Sequence, residues 1–201
     1  MTRLRDSYHH GDLRAALLDA GLALVEEDGL EGLSLRGVAR RAGVSHAAPY
    51  HHFSDKAALL SAIAARGFDA LDRDIRERRA GAPADRLQSA AVAYVGFAVE
   101  HPELFRLMFS GSVSPEADPE LHAAASRAYA HITGPLGDEA PAVAAWSLVH
   151  GLAMLLLDAQ IGEGVPTRKA AEERARAVTR VLWEGLRGHA REERSEEPGG
   201  D

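Results

Sequence analysis

Ser34-Leu35-Arg36-Gly37-Val38-Ala39-Arg40-Arg41-Ala42-Gly43-Val44-Ser45-His46-Ala47-Ala48-Pro49-Tyr50-His51-His52-Phe53 is the stretch on which the reading of this chain turns. Ser34 is a good N-cap for a short helix that carries Leu35, Val38, Ala39 and Ala42 inward and stops at Gly43. Ser45 is a second N-cap and opens another helix, which runs to Phe53. Two short helices joined by Ala42-Gly43-Val44 match a helix-turn-helix, whose second helix enters the DNA major groove N-terminus first. That second helix is rich in hydrogen-bonding side chains and almost without large aliphatics, so it buries little and presents much. Pro49 falls in its first turn, where it removes one early backbone bond and is tolerated. The plain alternative is a helix that merely connects its neighbours.

Outward from this hairpin the apolar spacing stays helical, and no alternating run is long enough for a convincing strand. The expected fold is all-α, with about nine helices. The first spans 12–28, capped by Asp12 and ended by Gly29, with Leu13, Ala16, Leu17, Ala20 and Leu24 on one face. The second and third span 34–42 and 45–52. A long fourth helix, capped by Ser54, carries Leu59, Leu60, Ile63, Phe68, Leu71 and Ile75 inward before Ala80-Gly81-Ala82-Pro83 breaks it. Further helices are expected at 85–100, 103–109, 119–133, 142–161 and 167–189. The chain therefore divides into a helix-turn-helix domain (1–54), a connecting helix and linker (55–82), a C-terminal helical domain (83–190) and a charged tail without structure (191–201).

Composition narrows the function classes. The 201 residues are 46% hydrophobic and 26% charged, an ordinary globular balance, and contain no cysteine. Disulfides, thiolate metal sites and cysteine nucleophiles are excluded, and a reducing cytoplasm fits. The N-terminus lacks the apolar stretch of a secretory signal. The longest apolar run, about Val143 to Leu157, is expected to be a buried core helix too short to span a bilayer. The net charge of −7 argues against DNA when taken whole, yet it is C-terminal: residues 1–53 carry −1, residues 54–80 carry +1 and residues 81–201 carry −7. Between 34 and 56, Arg36, Arg40, Arg41 and Lys56 face Asp55 alone, a local +3 that histidine protonation raises further. So modest a charge predicts weak nonspecific affinity and reliance on shape and dimer geometry.

The stretch from Leu33 to Ser45, followed by Tyr50-His51-His52-Phe53 and Asp55-Lys56, resembles the N-terminal signature of the TetR (tetracycline-repressor) family. Leu33 stands where that family commonly has Thr, and Ala47 where it commonly has Gly. Tyr8-His9-His10-Gly11-Asp12-Leu13-Arg14, the His101-to-Phe109 stretch and Trp146 with His150-Gly151 resemble a subgroup with a Trp-His-Gly-type C-terminal domain. The resemblance implies a homodimeric DNA-binding regulator, usually a repressor, whose C-terminal domain binds a small-molecule effector. It also implies pairing of two copies through the last two helices, 142–161 and 167–189.

On that reading Ser45, His46 and Ala47 meet base edges, Ala47 by methyl contact with thymine and His46 by hydrogen bonding. Tyr50, His51 and His52 make backbone and edge contacts, and the resemblance implies that Tyr50 and Lys56 hold phosphates. Ser34 lets the second helix face a phosphate, with Arg36 and Arg40 beside it. Arg3 and Arg5 form either a minor-groove arm or an unstructured terminus. Trp146, His150, Met154 and Asp158 share a helix face by i, i+4 spacing. With Tyr94, Phe97, Phe105, Met108 and Phe109 they form either a ligand pocket or packed core and dimer face. No cofactor or metal is expected: the His9-His10 and His51-His52 pairs are adjacent, and no i, i+4 ligand pair exists. Ser110-Gly111-Ser112 lacks a nucleophile elbow, and Gly162-Glu163-Gly164 a dinucleotide loop. The competing classes are a helical enzyme or small-molecule carrier with a structural hairpin, and an activator making the same DNA contacts.

Overall fold

The computed structural model describes residues 10–78 and 81–196, and among them every regular element is helical. The elements are α1 (His10–Gly32), α2 (Leu35–Arg41), a 3-10 helix (Ala48–His51), α3 (Lys56–Glu77), α4 (Pro83–Glu100) and α5 (Pro102–Met108). A 3-10 turn (Pro115–Ala117) precedes α6 (Pro119–Thr133), α7 (Glu139–Leu157) and α8 (Arg168–Glu196). Each of the nine expected helices has a counterpart, the third as a 3-10 helix.

Several boundaries differ from expectation, each for a local reason. α1 begins at His10, so Asp12 lies within it rather than capping it. Its regular course breaks at Gly29 as the sequence predicts, with one further turn to Gly32. Asp55, not Ser54, caps α3: its Oδ1 accepts from the Ala58 N–H at 2.8 Å. α7 starts earlier and stops sooner than 142–161, ending where Asp158 follows and Ala159 turns to φ 51°. α8 runs to Glu196, so residues 191–196 are helical rather than an unstructured tail. Arg and Glu are strong helix formers, and charge alone does not stop a helix already under way. The rest of that tail, and Arg3 and Arg5, lie outside the described residues.

The chain forms two compact units, and they do not part at 80–83. The first unit comprises the N-terminal elements through Gly67, halfway along α3, together with Glu103–Ala123. The second comprises Phe68–Pro102 and the chain from Ala124 onward. A loop break marks where a helix ends, whereas a unit is set by which apolar faces bury one another.

In the first unit, Leu17, Val25, Leu33, Leu59, Ile63, Phe105, Leu107 and Leu121 are fully buried. α1 and α3 approach closely at Gly21, where a Cβ would stand 2.8 Å from Ile63 Cδ1. Gly29, at φ 69° and ψ −174°, occupies backbone space that is essentially closed to other residues. Gly29→Ala is therefore expected to cost about 1–3 kcal/mol in denaturant unfolding. The space around it is open, the nearest atom being Glu103 Oε2 at 3.6 Å from an added Cβ, so the penalty comes from backbone strain alone. A variant within about 0.5 kcal/mol of the parent would disprove that account.

In the second unit α4 packs on α7 and α8 and is buried over most of its surface, from Leu87 to Ala98. Leu71, Ile132 and Leu156 complete its core. Arg168 on α8 bonds Glu172, Asp74 and Glu100, and Arg78 also reaches Glu172, so one ionic cluster ties α3, α4 and α8. α7 corrects the expectation of a short, buried core helix. At 19 residues it is long and apolar enough, by length and composition, to cross a membrane, and only 39% of its apolar window is buried. One face joins the core, and the other leaves Val143 and Leu155 exposed.

Candidate functional site

The helix-turn-helix is assembled by backbone chemistry that the sequence announces in part. Ser34 Oγ accepts the Gly37 N–H at 3.0 Å and caps α2. Gly43, at φ 69°, closes the turn and lets the Val44 N–H bond the Ala39 carbonyl at 3.0 Å. The third element departs from expectation in form: it is a 3-10 helix over Ala48–His51, and no side chain caps it, Ser45 included. Pro49 supplies the reason. In an α-helix the nitrogen of residue 49 would donate to the Ser45 carbonyl, and proline has no N–H to give. The Ala48 N–H takes that carbonyl instead, at 3.0 Å, and Tyr50 N–H to Ala47 O continues the tighter i−3 pattern at 3.2 Å.

Burial then divides this short helix into two sides. Pro49 and Phe53 are buried, anchoring it, while Ser45, His46, Ala47, Tyr50 and His51 are exposed and His52 is half-buried. Tyr50, an aromatic, is 54% exposed. Ser34, Arg36, Arg40 and Lys56 are exposed as well, so nine of the ten residues proposed for DNA are exposed. The Arg14 guanidinium lies 5.8 Å from the centre of the Phe53 ring and braces the anchor from α1.

Two contacts refine the electrostatics, and neither has a sequence signal because both join distant positions. Arg41 forms a bidentate pair with Glu27, both bonds 2.6 Å, which holds the Glu27 carboxyl below the usual carboxylate range and raises Arg41. One of the three arginines counted toward the local positive charge is thus already neutralised. Lys56 Nζ donates to the Leu30 carbonyl at 2.9 Å, so this side chain also secures the end of α1. Arg36 and Arg40 form no ion pair among the described residues.

In the second unit the structure brings Tyr94, Trp146 and His150 together with Tyr129, which the sequence did not single out. Trp146 stacks on His150 with centroids 5.4 Å apart, as their i, i+4 spacing predicts. Tyr129 meets the Trp146 ring edge-on at 5.6 Å. Tyr94 Oη lies 2.9 Å from His150 Nδ1. Burial pushes the Tyr94 phenol well above its ordinary range, against a smaller opposing effect of its hydrogen bond with Trp146. Burial also pushes His150 below its usual range, toward the neutral imidazole. Met154 is half-buried on the same helix, and Asp158 is exposed past its end. Phe97 instead packs beside His101, at 4.8 Å.

Phe105, Met108 and Phe109, grouped with this cluster by the sequence, belong to the first unit. There Phe105 is fully buried against Phe109 at 4.9 Å, and Met108 packs on Gly67. Tyr94 and Phe105 are near neighbours in the chain, yet the break at His101-Pro102 sends α5 into a different core. Among the described residues no group of three or more His, Asp or Glu side chains is placed to hold a metal ion.

Comparisons with known proteins address the chain as a whole. Residues 17–63 match the family model for bacterial regulatory proteins of the tetR family, and residues 87–182 match the tetracyclin repressor-like C-terminal domain. The HTH-type transcriptional regulator BetI of Paraburkholderia xenovorans (strain LB400) is 31% identical over 150 residues, covering 71% of this chain and 77% of that one. A protein with unknown function from Rhodococcus sp. RHA1 is similar in structure, with a TM-score of 0.72 and 34% identity over 90% of this chain and 98% of its own. The TetR family regulator PfmR from Thermus thermophilus shares the fold at a TM-score of 0.62 and 23% identity, covering 84% of this chain and 94% of its own.

Proposed function

This chain belongs to the tetR family and is a DNA-binding transcriptional regulator, and from that premise we propose that it is a homodimeric repressor released by a small molecule. The observation that carries the DNA-binding half is the division of the third element, with Pro49 and Phe53 buried while Ser45, His46, Ala47, Tyr50 and His51 stand open. Exposed polar side chains on a rigidly anchored hairpin suit base edges and phosphates better than a structural connector would. Two such hairpins reach successive major grooves when the dimer spaces them by about 34 Å.

The pairing surface proposed is the outer side of α7 and α8. Ala144, Leu148, Gly151 and Leu155 recur at spacings of 4, 3 and 4 along α7, the seam pattern of helices that pack at shallow angles. Beyond its own stretch of helix, no atom of the described residues comes within 4 Å of a Cβ built at Gly151, which leaves that position open to a second copy. Release follows if an effector binds the second unit more tightly in a state with a different half-site spacing. A cytoplasmic location accords with this role.

Fluorescence anisotropy on a palindromic fragment from the gene's own upstream region tests the reading. Arg36→Ala is expected to weaken binding to all sequences alike and to lower the salt slope by about 1. His46→Ala is expected to relax preference at one base position by about 1–3 kcal/mol. Lys56→Ala is a poorer probe, because it also frees the Leu30 carbonyl. Equal effects of Arg36→Ala and His46→Ala on specificity would refute the division into phosphate and base contacts.

A further inference from the structure

Several arginines of the second unit are held in ion pairs: Arg76 with Asp72, Arg78 with Asp74 and Glu172, Arg127 with Asp69, and Arg168 with Asp74 and Glu172. Arg86 differs. It lies in the first turn of α4, is partly buried, and forms no side-chain hydrogen bond or ion pair among the described residues. Its Nε is shut off from solvent and has no hydrogen-bond partner.

Arg86 borders a cavity of about 200 Å³ between α3, α4 and the end of α6. Ser89, one turn along α4, adds a hydroxyl to the lining, and Ile75, Ala130 and Pro135 add an apolar wall. His131 also lines it, with Nε2 held 2.7 Å from Asp72 Oδ1. Asp72 is shared between His131 and Arg76. The neighbouring cavity lined by Arg78 and Arg176 lacks this imbalance, because Glu172 serves both.

We propose that the Arg86 cavity is a binding subsite for a small carboxylate with a short apolar body. The terminal Nη1 and Nη2 of the guanidinium supply parallel donors for a carboxylate, Ser89 adds a third hydrogen bond, and the apolar wall receives the chain. The inference rests on the reading that the second unit binds an effector, and it names the chemistry of that effector.

Calorimetric titration of the full chain with straight-chain carboxylates from acetate to octanoate, and with the primary alcohols of the same lengths, tests it. At least one acid is expected to bind with Kd at or below about 1 mM, and its alcohol at least about tenfold more weakly. Arg86→Gln should weaken the acid at least about tenfold, and Arg86→Lys, which keeps the charge without the planar fork, should fall between them. Circular dichroism confirms that each variant is folded, and Arg86→Lys keeps the test sharp if Arg86→Gln is not. No acid bound, acids and alcohols bound alike, or acid binding unchanged in both variants would overturn the proposal. Operator binding by the parent chain is measured separately: its absence defeats the regulator reading, whereas intact operator binding without acid binding defeats only this one.

Discussion

Val181→Asp is expected to sediment as a monomer and to lose about 10²–10⁴-fold in affinity for a two-half-site operator, the gain that linking two binding modules provides. Val181 is 71% exposed on α8, an unusual position for a large aliphatic side chain. It lies with Val178 and Leu182 against Ala144 and Leu148 of α7, around an apolar groove of about 400 Å³. A second copy brings the same groove to the symmetric contact, since a two-fold interface pairs one patch with itself. A carboxylate at the centre of that contact must shed its water with no cation in the groove to receive it. The monomer itself should be little disturbed, because an exposed position contributes within about 0.5 kcal/mol to stability. Half-site binding should persist while full-site affinity collapses, which separates lost pairing from a damaged hairpin. A variant that remains dimeric and keeps its operator affinity would place the pairing surface elsewhere.

Punctuation residues made much of this fold legible in advance. Gly29 and Gly43 stop helices where positive φ is required, Ser34 caps α2 through its own hydroxyl, and Pro119 opens α6, whereas Pro83 and Pro102, read as breaks ahead of helices at 85 and 103, themselves open α4 and α5. The apolar face of α3 from Leu59 to Ile75 is buried throughout, as its spacing predicts. Opaque features were those decided by competition or by distance. Whether Pro49 trims one bond from an α-helix or tightens the whole turn depends on which N–H captures the Ser45 carbonyl, a contest composition does not reveal. The Arg41–Glu27 and Lys56–Leu30 contacts join separate elements without any periodic signal. Arg86 is one of 21 arginines in a chain rich in them, and its place on a cavity has no signal in the sequence. The stacking of Trp146 on His150 was readable from helical spacing, whereas Tyr129, from α6, was not.

Phe105→Ala is expected to destabilise the first unit by about 3–5 kcal/mol, a large share of the ~5–15 kcal/mol that holds a typical domain. Phe105 is the largest fully buried side chain among the described residues, with Phe109 at 4.9 Å. Its neighbours Leu104 and Met108 cross α3 at Gly67, where a Cβ would stand 3.1 and 2.7 Å from their side chains. Contact that tight leaves little room for α5 to shift and fill the void, so the cavity persists and the cost stays near the upper part of the range. At about 2–4 °C per kcal/mol for a chain of this size, the melting temperature should fall on the order of 10 °C. The same substitution distinguishes two roles for this aromatic. A pocket-lining Phe105 would weaken effector binding while leaving stability nearly intact, because a pocket wall already lacks packing on one side. A core Phe105 does the reverse at temperatures where the variant is still folded. Calorimetric melting beside effector titration on the folded variant separates them, and an unchanged melting temperature with lost effector binding would return Phe105 to the ligand pocket.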